Sequence, residues 1–318
     1  MVTTHLEPPP SPARVDPTPG LISLARQALA DPERRAPLIG GISCLGLLCL
    51  IFGSNLEHFV RVWRTDENYS HGFLVPLISL YFADQAARRG PVPFRSGVGI
   101  GLGLLGFSMA GRLATVLVPV GFLGDLSFLL GAAGLCALLA GTDALRRYGF
   151  AIFFLIFMVP LPIALYTKIA SPLQLMASQV ATVVLNATGV PVLCEGNRLT
   201  LPGGVQMFVA EACSGMRQLT GFLALTVAVA YLSTRPSWYR AAVVAAAVPI
   251  AITANVARVI LTGYIMHHLD PNFASGTYHT IEGLLMMAFG LSLLRGWCWV
   301  LNQVSNLAGP PLVAVARA

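Results

Sequence analysis

Charge is what this chain has least of. Only 11% of its 318 residues are Asp, Glu, Lys or Arg, against about 25% in a soluble domain. That shortage excludes a water-soluble globular enzyme and a disordered protein. Lysine is nearly absent: Lys168 stands alone among 20 basic residues. The arginines are scattered in ones and twos, and no clustered basic stripe interleaved with aromatics occurs, so nucleic acid is not an expected partner. The six cysteines (Cys44, Cys49, Cys136, Cys194, Cys213 and Cys298) include no C-x-x-C pair and no metal-ligand spacing. A disulfide-rich scaffold is excluded, and neither a metal nor a cofactor is expected. What the chain has in excess is apolar: 55% hydrophobic residues and a mean hydropathy of +0.71. These values describe one polytopic membrane domain.

Residues 1–37 hold eight prolines and almost no apolar periodicity, which predicts a disordered cytoplasmic leader. Apolar runs then follow at about 38–60, 72–86, 97–120, 121–141, 149–166, 216–232, 241–262 and 280–301. Most approach the roughly 20 residues that a helix needs to cross about 30 Å of hydrocarbon. Arginine clusters at 34–35, 88–95, 146–147 and 235–240 fall at every second connection. Eight spans with both termini in the cytoplasm satisfy all four clusters under the positive-inside rule. The expected fold is therefore all-α and polytopic, with a membrane domain over 38–303 and a short cytoplasmic tail at 304–318.

This orientation collects most of the remaining polar chemistry in the outer connections. Within 167–215, residues 171–189 read as an amphipathic helix, because Gln174, Ser178, Thr182 and Asn186 recur every four residues. Residues 190–209 alternate apolar with polar, broken at Glu195-Gly-Asn197 and Pro202-Gly-Gly204, and predict a small extracytoplasmic β-meander.

Some motifs carry less than their letters suggest. Gly101-Leu-Gly-Leu-Leu-Gly106 fits a dinucleotide fingerprint, with Asp125 at the ribose-acid position. It lies inside an apolar span with no preceding strand, so close helix contact is the better reading. His267-His268-Asp270 is a poor metal set, since adjacent histidines diverge on any regular element. His58 and Arg112 read as snorkelling or bundle-facing groups.

The informative stretch is Val209-Ala-Glu-Ala-Cys-Ser-Gly-Met-Arg-Gln218. Cys213 stands where the outer segment enters a span, and a helix N-terminus favours a thiolate. Arg217 adds a cation one turn on. Asn255-Val-Ala-Arg258 places an arginine some 17 residues into an apolar run, which marks a functional site. His279, just before the last run, is of the type that carries a proton for a cysteine nucleophile. By topology Cys213, Arg258 and His279 reach one outer layer, as a cysteine hydrolase would need.

Together, Glu211-Ala-Cys-Ser-Gly, Asn255-x-x-Arg258 and a histidine heading the last span resemble the exosortase and archaeosortase family. Asp66-Glu-Asn-Tyr-Ser-His-Gly-Phe-Leu-Val-Pro76 resembles the opening motif of bacterial exosortases, and Pro160-Leu-Pro162, Leu173-Gln174, Gly189-Val-Pro191 and Gly196-Asn197 follow in that family's order. The resemblance covers about residues 40–300. It implies a thiol peptidase or transpeptidase of the bacterial inner membrane that cuts the tripartite C-terminal sorting tail of secreted proteins outside the lipid bilayer. It also implies transfer of those proteins to a surface or exopolysaccharide-linked acceptor. Carried over, Cys213 is the nucleophile, Arg258 stabilises thiolate or oxyanion, and His279 moves the proton. Arg217, Asn255, Glu211 and His71 are supporting residues. A multi-pass transporter and a non-catalytic membrane assembly factor are the alternatives.

The arginine alternation predicts that 190–215 and 263–279 face the extracytoplasmic side. Reporter fusions at Asn197 and Asn272 should both read outside; a cytoplasmic reading at either removes the shared outer layer.

Overall fold

The computed structural model of the protein describes residues 19–117, 121–209, 215–269 and 277–307. Twelve α-helices order the described residues: α1 (Leu21–Ala30), α2 (Pro32–Ile51), α3 (Gly53–Thr65), α4 (Leu74–Ala87), α5 (Val98–Leu117), α6 (Gly121–Ala140), α7 (Thr142–Phe154), α8 (Ile163–Ala187), α9 (Met216–Leu232), α10 (Ser237–Ala245), α11 (Ala247–His268) and α12 (Thr277–Leu307). Three short strands stand between α8 and α9: β1 (Leu193–Glu195), β2 (Arg198–Thr200) and β3 (Gln206–Phe208).

Several expected boundaries move. The leader predicted to run to residue 37 is helical from Leu21, and Asp31 then caps α2 by accepting from the Glu33 N–H, with Pro32 in the first turn. At the other end α12 continues to Leu307, past the expected boundary at 303. The count of about eight spans is not reached on length and composition. Among the described residues, five helical stretches are long and apolar enough to cross a membrane, at 32–51, 98–115, 121–140, 237–268 and 281–305; a sixth arises if the broken pair Thr142–Met158 and Ile163–Ala187 is one span. The physical reasons are local. The run at 38–60 is cut between α2 and α3, α4 has only 14 residues and α9 only 17. The run at 149–166 breaks at Pro160-Leu-Pro162, and its last residues join 171–187 in the single helix α8.

The chain divides into two compact units. One is drawn from Met1–Gly53, Pro76–Pro119 and Leu123–Ile156. Here Asp84 of α4 accepts from the Leu21 N–H at 2.8 Å and pairs with Arg88 at 2.7 Å. Phe82 packs edge-on against Phe150 and Phe154, and Ser79 donates to the Ala151 carbonyl. A Cβ at Gly101 would meet the Leu138 backbone at 2.7 Å, and one at Gly134 the Leu105 N at 2.9 Å. Gly101 therefore serves close helix contact, whereas Gly103 and Gly106 face open space. Arg112 sits 6.0 Å over the Phe52 ring, and its Nη1 donates to Thr115.

The second unit comprises Ser54–Val75, Val120–Phe122 and Phe157–Ala318. The expected meander is present as an antiparallel sheet in the order β1-β2-β3, with Leu193 opposite Thr200 and Leu199 opposite Met207. Gly196 turns β1 into β2 at φ +66°, a conformation that glycine adopts without penalty. Leu199 and Met207 point into a core shared with Ala177, Ala181 and Leu185 of α8 and Val259 of α11. The polar stripe of α8 is not simply solvated: Ser178 is buried and back-bonds to Gln174, while Asn186 clamps both backbone groups of Val192. A second core joins Phe222 of α9, Val243 of α10, Ile250 and Ala254 of α11, and Leu294 of α12.

Trp63 anchors the start of this unit. Its indole Nε1 donates to the Met158 carbonyl at 2.9 Å, and a Cβ on Gly72 would lie 2.3 Å from that nitrogen. Gly72→Ala should therefore cost about 1–3 kcal/mol through overpacking. Thermal unfolding in detergent should show a lowered midpoint; an unchanged midpoint means that the indole yields freely.

Candidate active site

The site grows from one face of α11. Asn255, Arg258 and Thr262 follow at spacings of three and four, the rows that align on a helix surface, and all three are buried. A guanidinium that is 3% exposed has lost its water and needs compensation. Glu282 of α12 supplies part of it: its Oε2 lies 3.9 Å from Arg258 Nε, and the carboxylate is itself 6% exposed. The Thr262 hydroxyl stands between the Arg258 carbonyl, at 2.9 Å, and Glu282 Oε1. Its single proton goes to the carboxylate, the stronger acceptor.

A second cation joins from α9. Arg217 pairs with Glu67, which belongs to the 3-10 turn Glu67–Phe73. This pair is more open, with side chains 24% and 61% exposed. Arg217 also lies close enough to Arg258 to be repelled by it, and close enough to Asp66 to be attracted. A Cβ on Gly283, next to Glu282, would sit 3.5 Å from Arg217 Nη1. Two arginines and two glutamates thus bring α9, α11, α12 and the Glu67 turn to one place.

Gly215 caps α9 at φ +72°. A Cβ there would meet Asn255 Nδ2 at 2.9 Å, so glycine meets both the left-handed backbone and the close approach. A small apolar cleft opens beside this contact, lined by Leu173, Met176, Leu219 and Val256 among others.

The Asp66–Phe73 segment is built with equal economy of donors. Asp66 caps it by accepting from the Asn68 N–H at 2.9 Å. The Tyr69 oxygen accepts from the Leu161 N–H at 3.0 Å, the single N–H that Pro160-Leu-Pro162 possesses. His71 stacks near Tyr69, with ring centroids 6.5 Å apart. Both of its ring nitrogens are buried without a closed hydrogen bond. Burial pushes the imidazole below its ordinary value, although the nearby Phe157 and Asn68 carbonyls favour a proton.

Of the residues expected from sequence, Arg258, Arg217, Asn255 and His71 are thus placed in this one unit. Cys213 and Glu211 lie outside the described residues. His279 falls in the first turn of α12, and its side chain lies outside the described residues as well. Glu282, Glu67 and Thr262 were not foreseen. An acid inside an apolar run carries the same signal as Arg258, and on that ground Glu282 was readable. A resident carboxylate, that of Glu282, faces Arg258 and offsets part of its burial.

The match to a family model for transmembrane exosortase (EpsH) runs from residue 63 to 296. That is well over half of the chain, from Trp63 through the whole cluster. The chain belongs to the transmembrane exosortase family. No curated protein and no solved structure matches it. Exosortases as a family are membrane protein-sorting proteases or transpeptidases. Every residue of the cluster falls inside the matched segment of this exosortase.

His71 gives the exosortase a pH response. Its folded value is depressed, so the imidazole is neutral in the fold while the unfolded chain binds a proton below about pH 6.5. Stability is full above that value and falls as pH drops toward the folded value. Unfolding midpoints in detergent at pH 7.5 and 5.5 should differ by less in His71→Gln than in the parent; equal differences would remove His71 as the cause.

Proposed function

We propose that this exosortase is a thiol peptidase or transpeptidase that removes the C-terminal sorting tail of secreted proteins. It acts on the extracytoplasmic side of the bacterial inner membrane. Cys213 is the nucleophile, Arg258 the cation that stabilises thiolate and oxyanion, and His279 the proton carrier. Arg217, Asn255 and Glu211 support them. The observation that carries this reading is the contact of Gly215 with Asn255. Gly215 follows Cys213 by two residues, and Asn255 precedes the buried Arg258 by one turn on the same face of α11.

The chemistry follows from these groups. The thiolate adds to the scissile carbonyl, and a preorganised guanidinium meets the negative charge that develops on oxygen. The adduct collapses as the scissile C–N bond breaks and the imidazolium gives its proton to the leaving amine. Water or an amine of the acceptor then attacks the thioester, giving a proton back to the imidazole as the Cys213 thiolate leaves. Cys194 does not compete for this role. Its thiol is free and donates to the Gly196 carbonyl at 3.4 Å within the β1–β2 turn.

The difference in exposure separates the two arginines. Arg217 is the more solvated, so its pairing is screened, whereas Arg258 acts where water is excluded. Lysine keeps the charge but loses the planar fork. With a co-expressed tailed substrate, Cys213→Ser should abolish tail release and Cys194→Ser retain it. Arg258→Lys should lose at least about tenfold, consistent with one lost oxyanion donor, and Arg217→Lys should be milder. All four variants should insert at parental levels. Retained release by Cys213→Ser would favour a non-catalytic assembly factor, and near-normal release by Arg258→Lys would leave Cys213 and His279 as a dyad.

A further inference from the structure

Glu282 is the one acidic residue described in α12, and a carboxylate in an apolar helix is costly unless something requires it. It is 6% exposed and faces the 3% exposed Arg258 at 3.9 Å, a distance inside ion-pair reach but longer than a hydrogen bond. Thr262, one helical turn beyond Arg258, holds its other oxygen. Glu282 also comes three residues after His279 in the same helix, a spacing that places two positions on one face.

We propose that Glu282 is the positioning residue of the site: it orients the Arg258 guanidinium from α12 and, as its resident counter-ion, limits how much positive charge reaches Cys213. This rests on the assignment of Cys213 and Arg258 given above. At rest the buried pair is neutral, so the arginine is kept folded into the site without a substrate. Thr262 holds the other oxygen of the carboxylate in place. A guanidinium with no counter-ion would instead pair with the thiolate at rest, lowering the cysteine's pKa and its nucleophilicity together.

The test uses the full-length protein in membranes, with Cys44, Cys49, Cys136, Cys194 and Cys298 replaced by serine so that iodoacetamide reports Cys213 alone. The alkylation rate is followed against pH, alongside tail release and protein level. Glu282→Gln keeps shape and the Thr262 contact but removes the charge. Its alkylation midpoint should fall by about one pH unit, in the range expected when one nearby charge is removed, and tail release should drop at least tenfold. Glu282→Asp keeps the charge and should hold the midpoint within about 0.3 units while losing several-fold in release. A merely structural glutamate would lower protein level or release without moving the midpoint. An unchanged or raised midpoint in Glu282→Gln overturns the proposal.

Should Glu282→Gln fail to accumulate, Arg258→Gln/Glu282→Gln carries no buried unpaired charge. Recovery of the double variant to parental level supports the pairing, and its equal loss overturns it. If the parent releases no tail while the midpoint still falls in Glu282→Gln, the peptidase reading fails and the charge coupling stands.

Discussion

A guanidinium without water is the constraint around which the second unit is arranged. Removing Arg258 from solvent costs several kcal/mol unless charge and hydrogen bonds replace the lost hydration. No single helix can supply that replacement. Glu282 comes from α12, Thr262 from the same face of α11, and the Arg217–Glu67 pair adds a balanced charge set alongside. The apolar cores on either side of α11 hold these helices close enough for this to work. Packing and electrostatics therefore depend on each other: without Val259 and Ile250 buried, Arg258 would be wet and Glu282 unnecessary.

Close approach is bought with missing side chains. Gly283 lets Arg217 lie along α12, Gly215 lets the start of α9 touch Asn255, and a Cβ on Gly290 would stand 2.0 Å from the Phe222 ring. In a bilayer, where apolar surface gains nothing by leaving lipid, such contacts are what hold helices together. The same economy governs the Asp66–Phe73 segment. Pro160 and Pro162 have no N–H, so one hydrogen bond from Leu161 to Tyr69 satisfies the only donor between them.

The membrane class, the meander and the polar residues that the second unit gathers around Arg258 were legible in the sequence for one reason: each is a local signal. Apolar runs, alternation at 190–209 and an arginine inside a span can be read within a short window. What differed has two sources, one local and one long-range. The break at Pro160-Leu-Pro162 and the fusion of 163–166 with 171–187 depend on which side of two prolines a helix restarts. The helix at Leu21–Ala30 has its first N–H accepted by Asp84, 63 residues away. Glu67 has no meaning until Arg217 is placed against it, 150 residues further on. Glu282 lay in plain view beside His279, but its role is a distance, and a distance to Arg258 cannot be read from spacing.

The two ion pairs differ in a way that matters more than their number. Exposed pairs such as Glu67–Arg217 contribute about 0–1 kcal/mol and are screened by salt, whereas breaking a buried pair leaves a charge with nowhere to go. The cluster thus has a graded interior: one cation near water, one in low dielectric, close enough to repel each other. Each cation is held against that repulsion by its own carboxylate, Glu67 for Arg217 and Glu282 for Arg258, and an anion that arrives meets the charge these leave over. On the proposed reading the anion is the thiolate and then the oxyanion, and the deeper arginine responds more strongly because less solvent intervenes. The outer pair keeps Arg217 turned toward Glu67 and leaves that response to Arg258. Charge geometry of this kind favours the transition state over the resting site because its cost is met when the chain folds rather than during the reaction.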